Sequence, residues 1–399
     1  MRCACSRTCS RSASRRLGDV ASEPIYHEDT KDTKATKNSI NNSCFFFVSF
    51  GCFVPSWWIL CGGLLGVMLA ACGNDGRTPV VLYSPHGRDQ LTLLEHAFEA
   101  ERPDIDVRWL DMGSQEILDR LRFERVNPQA DVWFGGPTTT FDLGIEDSLL
   151  QPYRPSWADR VGPNGVGPSD LYYPVYRTPA VIAYNNRLVK PEEAPHDWDD
   201  VLQPRWRDKV IIRDPMASGT MRAIWGFILV RSIREAGDTA WGMAWLRRLD
   251  ANTKTYVLNP AILDAKLARG EGLVTLWDLP DILIGISKGL PFGYTFPRSG
   301  TVVIDDAIGL VSGSHHPEAA RAFIDFVGGV EAQILAATGV YRLPARHDLP
   351  QDRVPRWVAE VEAEMVVAPM DWGMLARHGP AWMGYWDRHV RGRGRAEER

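Results

Sequence analysis

The chain has 399 residues, too many for one compact core and typical of two or three domains. Apolar residues make up 45% of it and charged residues 24%, an ordinary balance for a globular protein. The formal net charge of -5 argues against nucleic acid as a general partner, because phosphate backbones attract strongly basic surfaces.

All seven cysteines lie at or before position 72. The remainder of the sequence contains none, which excludes a disulfide scaffold, a zinc-thiolate site and a thiol nucleophile from the folded body. The seven residues are Cys3, Cys5, Cys9, Cys44, Cys52, Cys61 and Cys72.

A long apolar stretch covers residues 43–71 and runs into the sequence LAAC, whose cysteine is Cys72. A transmembrane helix needs roughly 20 apolar residues, so a retained membrane anchor is one interpretation. Small residues before a cysteine at such an end resemble the bacterial lipobox, which implies cleavage before Cys72 and lipidation of its sulfur. We therefore expect residues 1–71 to be a leader and lipoprotein signal segment. Either interpretation places the body outside the cytoplasm.

The first elements after this segment alternate between strand and helix. An apolar run at residues 80–83 predicts a buried strand that stops at a Ser-Pro-His-Gly loop. Residues 91–98 carry apolar side chains on one helical face, and residues 105–109 alternate between apolar and charged side chains as a strand does. Strand, helix and strand in this order form a βαβ unit, which favours a parallel sheet covered by helices.

The same alternation continues along the chain. Further strands are predicted at residues 130–134, 181–184, 210–212, 273–277 and 301–311. Helices are predicted at residues 117–123, 198–202, 221–236, 241–249, 262–268, 316–327 and around residue 334, with two more between residues 353 and 390. The basic ending RHVRGRGRAEER is interpreted as a solvated tail.

Four segments carry a family resemblance. They are VVLYSPHG, ADVWFGGP, VIAYNNRLVKPEEAPHDWDDVLQPRWRDKVIIRDPMASGT and HPEAARAFIDFVGGVEAQ, in this order within residues 79–345. Together they resemble the solute-binding proteins of the ferric-iron, phosphonate and related anion importers. The resemblance implies an α/β protein with the type II periplasmic-binding fold, in which two α/β lobes are joined by a hinge and the ligand lies in the cleft.

This fold implies a division of the chain. Lobe 1 is expected to comprise residues 79–176 and 295–350, and lobe 2 residues 177–294. Residues 351–399 are expected to form C-terminal helices and a tail. Open α/β sheets bind ligands at the carboxyl ends of their strands, and hinge motion closes the lobes on the ligand.

The Ser218-Gly219-Thr220 loop directly precedes a long predicted helix. Its backbone N–H groups and hydroxyls can surround an anion at the positive end of that helix. The resemblance implies that this loop contacts the ligand. The alternative is a plain N-cap, in which a hydroxyl satisfies one free backbone donor.

Two other loops follow predicted strands. Ser84 and His86 come after the first strand, where ligand contact competes with the role of an ordinary buried polar side chain. Gly135, Gly136 and Thr138 follow a later strand. Glycine there lets the backbone approach a ligand closely, or else forms a tight turn.

Two further residues complete the candidate set. Arg177 lies in the segment expected to cross between the lobes and could pair with a phosphonate or carboxylate, whereas a surface salt bridge is the commoner fate. Trp277-Asp278 stands where iron-binding relatives carry paired tyrosines, so this chain lacks the phenolate oxygens that suit ferric ion. Asp278 is expected to meet an ammonium or hydroxyl group of an organic ligand instead.

The sequence therefore predicts a lipid-anchored, extracytoplasmic solute-binding protein of an ABC-type importer, monomeric, without a cofactor and without enzymatic activity. It captures a small anionic solute, with an organic phosphate or phosphonate favoured, and delivers it to a membrane permease. Ferric iron is the alternative solute. A secreted lipoprotein hydrolase and a sensor lipoprotein are the alternatives from other classes, and the sequence has no H-E-x-x-H motif that would favour a zinc hydrolase.

Overall fold

The computed structural model describes residues 76–163 and 165–394 of the chain. The leader predicted for residues 1–71 and the lipidation predicted at Cys72 lie outside the described residues. Apart from Asn164, the described part spans the whole region from which the fold is predicted.

The strands of the described part are β1 (Thr78–Ser84), β2 (Ile105–Asp111), β3 (Val132–Pro137), β4 (Leu150–Gln151), β5 (Tyr173–Asn185), β6 (Val210–Arg213), β7 (Thr253–Val257), β8 (Val274–Asp278), β9 (Phe292–Thr295), β10 (Val303–Val311) and β11 (Leu343–Pro344). They pair in the order β2-β1-β3-β10-β5-β8-β6-β7, with β4 on β10 and with β9 and β11 on β5. Strands β1, β2 and β3 are parallel, as the predicted βαβ unit requires, and β6 is parallel to β7 and β8.

Strand β5 divides the fold into two sheets. Up to Pro179 it pairs with β10, and from Ala180 onwards it pairs with β8 and β9. We call the residues around β1, β2, β3, β10 and the first half of β5 lobe 1, and those around β6 to β9 and the second half of β5 lobe 2. The change of sheet lies slightly beyond residue 177, where it was expected, because Arg177 and Thr178 still pair with β10.

The helices of the described part are α1 (Gly87–Glu101), α2 (Ser114–Phe123), α3 (Thr138–Glu146), α4 (Gly219–Ala236), α5 (Ala240–Asn252), α6 (Pro260–Ala268), α7 (Leu279–Ser287), α8 (Pro317–Val327), α9 (Val330–Val340), α10 (Arg356–Glu364) and α11 (Trp372–His389). Within residues 76–163 and 165–394, no single helix is long and apolar enough to cross a membrane. The pair α8 and α9, bent by 66° at the break between them, passes that test jointly by length and composition.

Most predicted elements are confirmed, with bounds that differ by a few residues. Strand β5 is much longer than the strand predicted at residues 181–184, because it runs through both sheets. The threonines after β3 begin α3, whose Phe141 stacks on Trp133 with ring centroids 4.0 Å apart. The short helix predicted at residues 198–202 is a 3-10 helix.

The C-terminal helices α10 and α11 pack on lobe 2. Val358 and Met383 belong to the same buried apolar cluster as Ile212. The rings of Trp225 in α4 and Trp386 in α11 meet edge to face, with centroids 6.0 Å apart. These helices therefore extend the core of lobe 2.

Asp131 joins three segments of lobe 1. It is 1% exposed, and its carboxylate accepts hydrogen bonds from the Val81 N–H at 2.9 Å, the Ser314 hydroxyl at 2.6 Å and the His316 N–H at 3.0 Å. A buried donor that loses its acceptor costs about 1–3 kcal/mol, and more when the acceptor is charged. This one side chain therefore fixes β1 and the loop before α8 to the start of β3.

We expect Asp131→Ala to lower the free energy of unfolding by about 3 kcal/mol or more, because three donors lose a charged acceptor. Urea unfolding of the purified protein, followed by circular dichroism, measures the change. Asp104→Ala is the control, because Asp104 pairs with Arg102 on the surface and should leave stability nearly unchanged. Equal effects of the two substitutions would contradict the role given to Asp131.

Candidate functional site

The carboxyl ends of parallel strands from both lobes meet at one cleft. Strands β1 and β3 lead to it in lobe 1, and β6 and β8 lead to it in lobe 2. Each of these strands is followed by a helix, and the N-termini of α1, α3, α4 and α7 border the cleft. Free N–H groups and the helix dipole give each N-terminus a partial positive charge.

The cleft contains a cavity of about 570 Å³ that residues of both lobes line. Its volume falls within the range of small-molecule sites, about 300–1,000 Å³. Carboxylate side chains outnumber Lys and Arg side chains among the lining residues. The cavity therefore combines anion-attracting helix ends with a surplus of acidic side chains.

The two lobes touch beside this cavity. Gly219 begins α4 and faces Pro137 and Ser114 of lobe 1. A Cβ atom at position 219 would lie 2.5 Å from Pro137 Cδ and 2.8 Å from Ser114 Oγ, closer than real Cβ contacts. Across the cleft, Lys288 Nζ of lobe 2 lies 2.5 Å from Asp89 Oδ2 of lobe 1. Glycine at position 219 thus allows the lobes to approach this closely.

Arg213, the last residue of β6, is the most deeply buried cation of lobe 2 at the cavity wall. It is 5% exposed, and its Nε finds no hydrogen-bond partner among the described residues. One terminal nitrogen lies 3.4 Å from the Val257 carbonyl oxygen, and the other lies near Gly113 of lobe 1. Burial lowers the pKa of the guanidinium below its usual value, although Asp214 and Asp111 oppose this. An anion bound at this point would compensate the guanidinium for the hydration that it loses on burial.

The Ser218-Gly219-Thr220 loop lies beside Arg213 in the cavity lining. Ser218 Oγ accepts a hydrogen bond of 3.3 Å from the Met221 N–H, so Ser218 is the N-cap of α4. The N-cap alternative is therefore correct for its oxygen, but the hydroxyl hydrogen remains available as a donor. N-cap and ligand contact are compatible at this residue.

Buried side chains form a hydrogen-bonded chain beneath the cavity. Arg342 Nε donates to Gln90 Oε1 at 2.5 Å, which leaves the amide nitrogen of Gln90 facing His86 Nδ1 at 3.3 Å. His86 Nδ1 is therefore the acceptor and Nε2 carries the hydrogen, 3.6 Å from Asp306 Oδ2. Burial and the charge of Arg342 lower the pKa of His86, so its ring is neutral. A Cβ at position 135 would collide with this ring, which explains Gly135.

Three carboxylates of lobe 2 line the cavity on α6 and α7. Asp278 caps α7 by accepting from the Asp281 N–H at 3.1 Å, and burial together with the charge of Asp281 raises its pKa well above the usual value. Asp281 accepts a hydrogen bond of 3.1 Å from Trp277 Nε1. Burial and the charge of Asp281 raise the pKa of Asp264 to about 7, opposed by Lys288.

Most of the predicted site residues reach the cavity wall. They are His86, Gly136, Ser218, Gly219, Thr220 and Asp278. The other three lie elsewhere. Ser84 is buried behind His86 and accepts a hydrogen bond from its N–H at 3.3 Å, while Pro137 lines the cavity where Thr138 was expected. Arg177 forms an ion pair of 2.9 Å with Glu362 on the surface, as its alternative interpretation proposed.

Sequence reasoning missed several charged residues of the cavity, among them Arg213, Asp264, Asp281 and Arg342. Arg213 ends β6 and Asp281 lies in the first turn of α7, so the rules that selected His86 after a strand and Ser218 at a helix N-terminus could have selected them. Asp264 lies within α6, and Arg342 follows α9 far along the chain. No local pattern marks these two, because only the tertiary fold brings them to the cleft.

Comparison with known proteins agrees with this geometry. Residues 89–334 match the family described as bacterial extracellular solute-binding protein. A Sinorhizobium fredii protein with the provisional name ABC transporter periplasmic-binding protein is 27% identical over 330 residues, which cover 79% of this chain and 88% of that protein. A Salmonella typhimurium protein provisionally named 2-aminoethylphosphonate-binding periplasmic protein is 27% identical over 252 residues, which cover 61% of this chain and 71% of that protein.

A solved structure shares the fold. The periplasmic binding protein AfuA from Actinobacillus pleuropneumoniae, with exogenous fructose-6-phosphate bound, matches with a TM-score of 0.69 and 21% sequence identity. The match covers 80% of this chain and 100% of that chain. It confirms the predicted type II periplasmic-binding fold of two α/β lobes around a cleft.

We expect Gly219→Ala to hold the lobes farther apart, because the added methyl group would overlap with the ring of Pro137. Under conditions that close the unchanged protein, small-angle X-ray scattering should give the variant a larger radius of gyration. Gly162→Ala is the matched control, since no atom lies within 4 Å of the added Cβ. Identical scattering of the two variants under all conditions would contradict the close approach at Gly219.

Proposed function

Because this chain belongs to the family of bacterial extracellular solute-binding proteins, we propose that its cleft captures a small solute carrying a phosphonate or phosphate group. The chain is a solute-binding protein of an ABC importer, and it delivers the solute to the membrane permease. Binding closes the lobes around the solute by hinge motion. The protein itself performs no chemical step.

The buried and only partly hydrogen-bonded guanidinium of Arg213 carries the proposal. Its Nε is buried without a hydrogen-bond partner among the described residues, beside the N-terminus of α4. A buried guanidinium whose Nε lacks a hydrogen-bond partner is costly, and a phosphonate oxygen compensates the cation with a charge-assisted hydrogen bond. The free N–H groups of Gly219 and Thr220 and the Ser218 hydroxyl supply further donors at the same wall.

The named relatives support the same chemistry. The Salmonella relative carries a phosphonate in its provisional name, and the Actinobacillus structure contains a sugar phosphate. Ferric iron has weaker support in this chain, because Trp277-Asp278 replaces the paired tyrosines.

A hydrolase function has no support at the cavity. The sequence contains one G-x-S-x-G match at residues 285–289, but Ser287 is exposed at the C-terminal end of α7. A catalytic serine of that motif stands on a sharp turn between a strand and a helix. The motif in this chain is therefore the end of an ordinary helix.

We extend the proposal to a lipid anchor at Cys72, which the LAAC sequence supports. Cys72→Ser should abolish lipidation, so the chain should move from the membrane fraction to the soluble or precursor fraction. Membrane fractionation and the mass of the N-terminal peptide measure this change. Cys61→Ser, within the apolar stretch, is the control and should leave the distribution unchanged. Lipidation of the Cys72→Ser chain would contradict the proposal.

We expect Arg213→Gln to weaken the binding of ethylphosphonate about a hundredfold, because the phosphonate loses a buried charge-assisted partner. Isothermal titration calorimetry measures the dissociation constant, and thermal unfolding without solute checks the fold. Arg177→Gln removes the same charge outside the cavity and should change the dissociation constant less than about twofold.

Equal losses in Arg213→Gln and Arg177→Gln would show that overall charge, and not the cavity wall, governs binding. If the unchanged protein binds neither ethylphosphonate nor a sugar phosphate, the proposed solute class is wrong. Binding of ferric iron alone would favour the alternative solute.

A further inference from the structure

The end of α2 carries the two most exposed large apolar side chains among the described residues. Phe123 is the last residue of α2 and is 91% exposed, and Val126 in the following loop is 95% exposed. Single apolar side chains on a surface are ordinary, but two neighbouring ones that are almost fully exposed form an apolar protrusion. We call residues 122–126 the tip of α2. Such a protrusion indicates a surface that meets a partner.

The charged side chains of the tip of α2 differ in their exposure. The Glu124 carboxylate is turned towards the protein, where Arg120 Nε donates to it at 2.8 Å. Arg122 is exposed and is paired with Asp147 at 2.7 Å. Arg125 is exposed as well and directly precedes Val126. The tip therefore presents apolar side chains together with cations, while its one acid is turned inward.

The tip of α2 and the start of β1 lie at the same end of lobe 1. Helix α2 begins at the cavity with Ser114, and its ten residues span about 15 Å, so it ends well away from the cavity. The loop after it returns beside β1, because the Asp131 N–H donates to the Val81 carbonyl oxygen at 2.8 Å. Strand β1 runs from Thr78 towards the cavity. The cavity and the tip are therefore at opposite ends of lobe 1.

The lipid anchor proposed at Cys72 would attach close to that end. Five residues separate Cys72 from Thr78, the first residue of β1. A fully extended chain advances at most about 3.6 Å per residue, so a lipidated Cys72 would hold the start of β1 within about 20 Å of the membrane surface. The cavity lies about 20 Å farther along the strand. The short tether thus favours orientations in which the amino ends of the lobe 1 strands face the bilayer.

We propose that the tip of α2 inserts into the anionic surface of the membrane that holds Cys72, so that the cleft faces away from the lipid. The inference rests on the proposed lipid anchor and is independent of the solute. Phe123 and Val126 enter the boundary between headgroups and acyl chains, about 5–10 Å deep, and Arg125 meets the lipid phosphates. Because the tether keeps the tip at a high effective concentration beside the membrane, two apolar side chains suffice for this contact.

The absence of cysteine after position 72 allows a direct test. All seven cysteines lie at or before Cys72, so Val126→Cys supplies the only free thiol of a chain cleaved and lipidated there. The lipidated chain is labelled at this thiol with a fluorophore that brightens in apolar surroundings, and it is reconstituted into vesicles of phosphatidylethanolamine and phosphatidylglycerol. Lipids with a nitroxide near the headgroup should quench at least about half of the emission, because insertion by about 5–10 Å brings the label to that depth.

Leu188→Cys, labelled in the same way, is the matched control. Leu188 is an apolar residue that is 58% exposed, and it follows the end of β5 in lobe 2. Strand β5 runs antiparallel to β8, which ends at the cavity, so Leu188 lies at the far end of lobe 2. Its label should stay dim and unquenched. Thermal unfolding verifies that both labelled chains are folded, as expected for substitutions of exposed residues.

A second substitution tests the apolar contact itself. Phe123→Asp on the Val126→Cys background should abolish the quenching, because a carboxylate resists transfer out of water. Leu188→Asp on the same background makes the same change of charge elsewhere and should leave the quenching unchanged. All variants should sediment equally with the vesicles, since the lipid on Cys72 holds each chain.

The outcomes separate the membrane contact from the anchor. If the chain carries no lipid and does not sediment with the vesicles, the anchor proposal fails and the contact fails with it. If it sediments but the labels at positions 126 and 188 are quenched equally, the anchor stands and the contact is refuted. A bright label at position 126 that nitroxide lipids do not quench would show that a protein covers the tip, either a second copy or another partner, and would also overturn the proposal.

Discussion

The buried carboxylate of Asp306 connects the segments on which the cleft depends. It accepts hydrogen bonds from the Gly136 N–H at 3.2 Å and from the Thr178 hydroxyl, and it lies 3.6 Å from His86 Nε2. Burial raises its pKa, but His86, Arg342 and Thr178 together hold it below the usual value. Thr178 lies just before Ala180, where β5 changes from the sheet of lobe 1 to the sheet of lobe 2. The Asp306 carboxylate therefore ties β3, β5 and β10 of lobe 1 together at the point where the chain crosses into lobe 2.

Strand direction determines which residues can reach the solute. In both sheets the parallel strands end at the cleft, and the helices α1, α2, α3, α4, α6 and α7 begin there. Free N–H groups and side chains of strand-end residues therefore converge on one cavity. The helix N-termini offset part of the negative charge of the cavity. Among the charged side chains of lobe 2 in the lining, Arg213 is positive, and Asp264 and Asp281 are acidic. The polarity of the cavity thus follows from topology together with a few charged residues at element ends.

The sequence predicted the secondary structure well because apolar periodicity is local. It predicted Ser218 because its loop precedes a long helix, His86 because its loop follows a strand, and Asp278 because of the family resemblance. It could not place Arg177, whose partner Glu362 lies on a C-terminal helix far along the chain. Asp264 and Arg342 carry no local signal either, since both are charged residues that would ordinarily be assigned to the surface. Their roles depend on burial, and burial arises only when α6 and the segment after α9 pack at the cleft. The sequence therefore did not reveal which charged residues are buried at the site.

The C-terminal segment contributes to the site without entering the cleft. Asp214 follows Arg213, and its backbone carbonyl accepts hydrogen bonds from the Ala217 and Ser218 N–H groups at 3.1 and 3.0 Å. Its carboxylate is paired with Arg391, which also lies 5.5 Å from the ring centroid of Trp386. The last described turn of the chain therefore holds the base of the loop that presents Arg213 and Ser218. Because a binding site needs its contacting residues fixed by a supporting layer, the C-terminal helices belong to the binding machinery as much as the strands that end at the cavity.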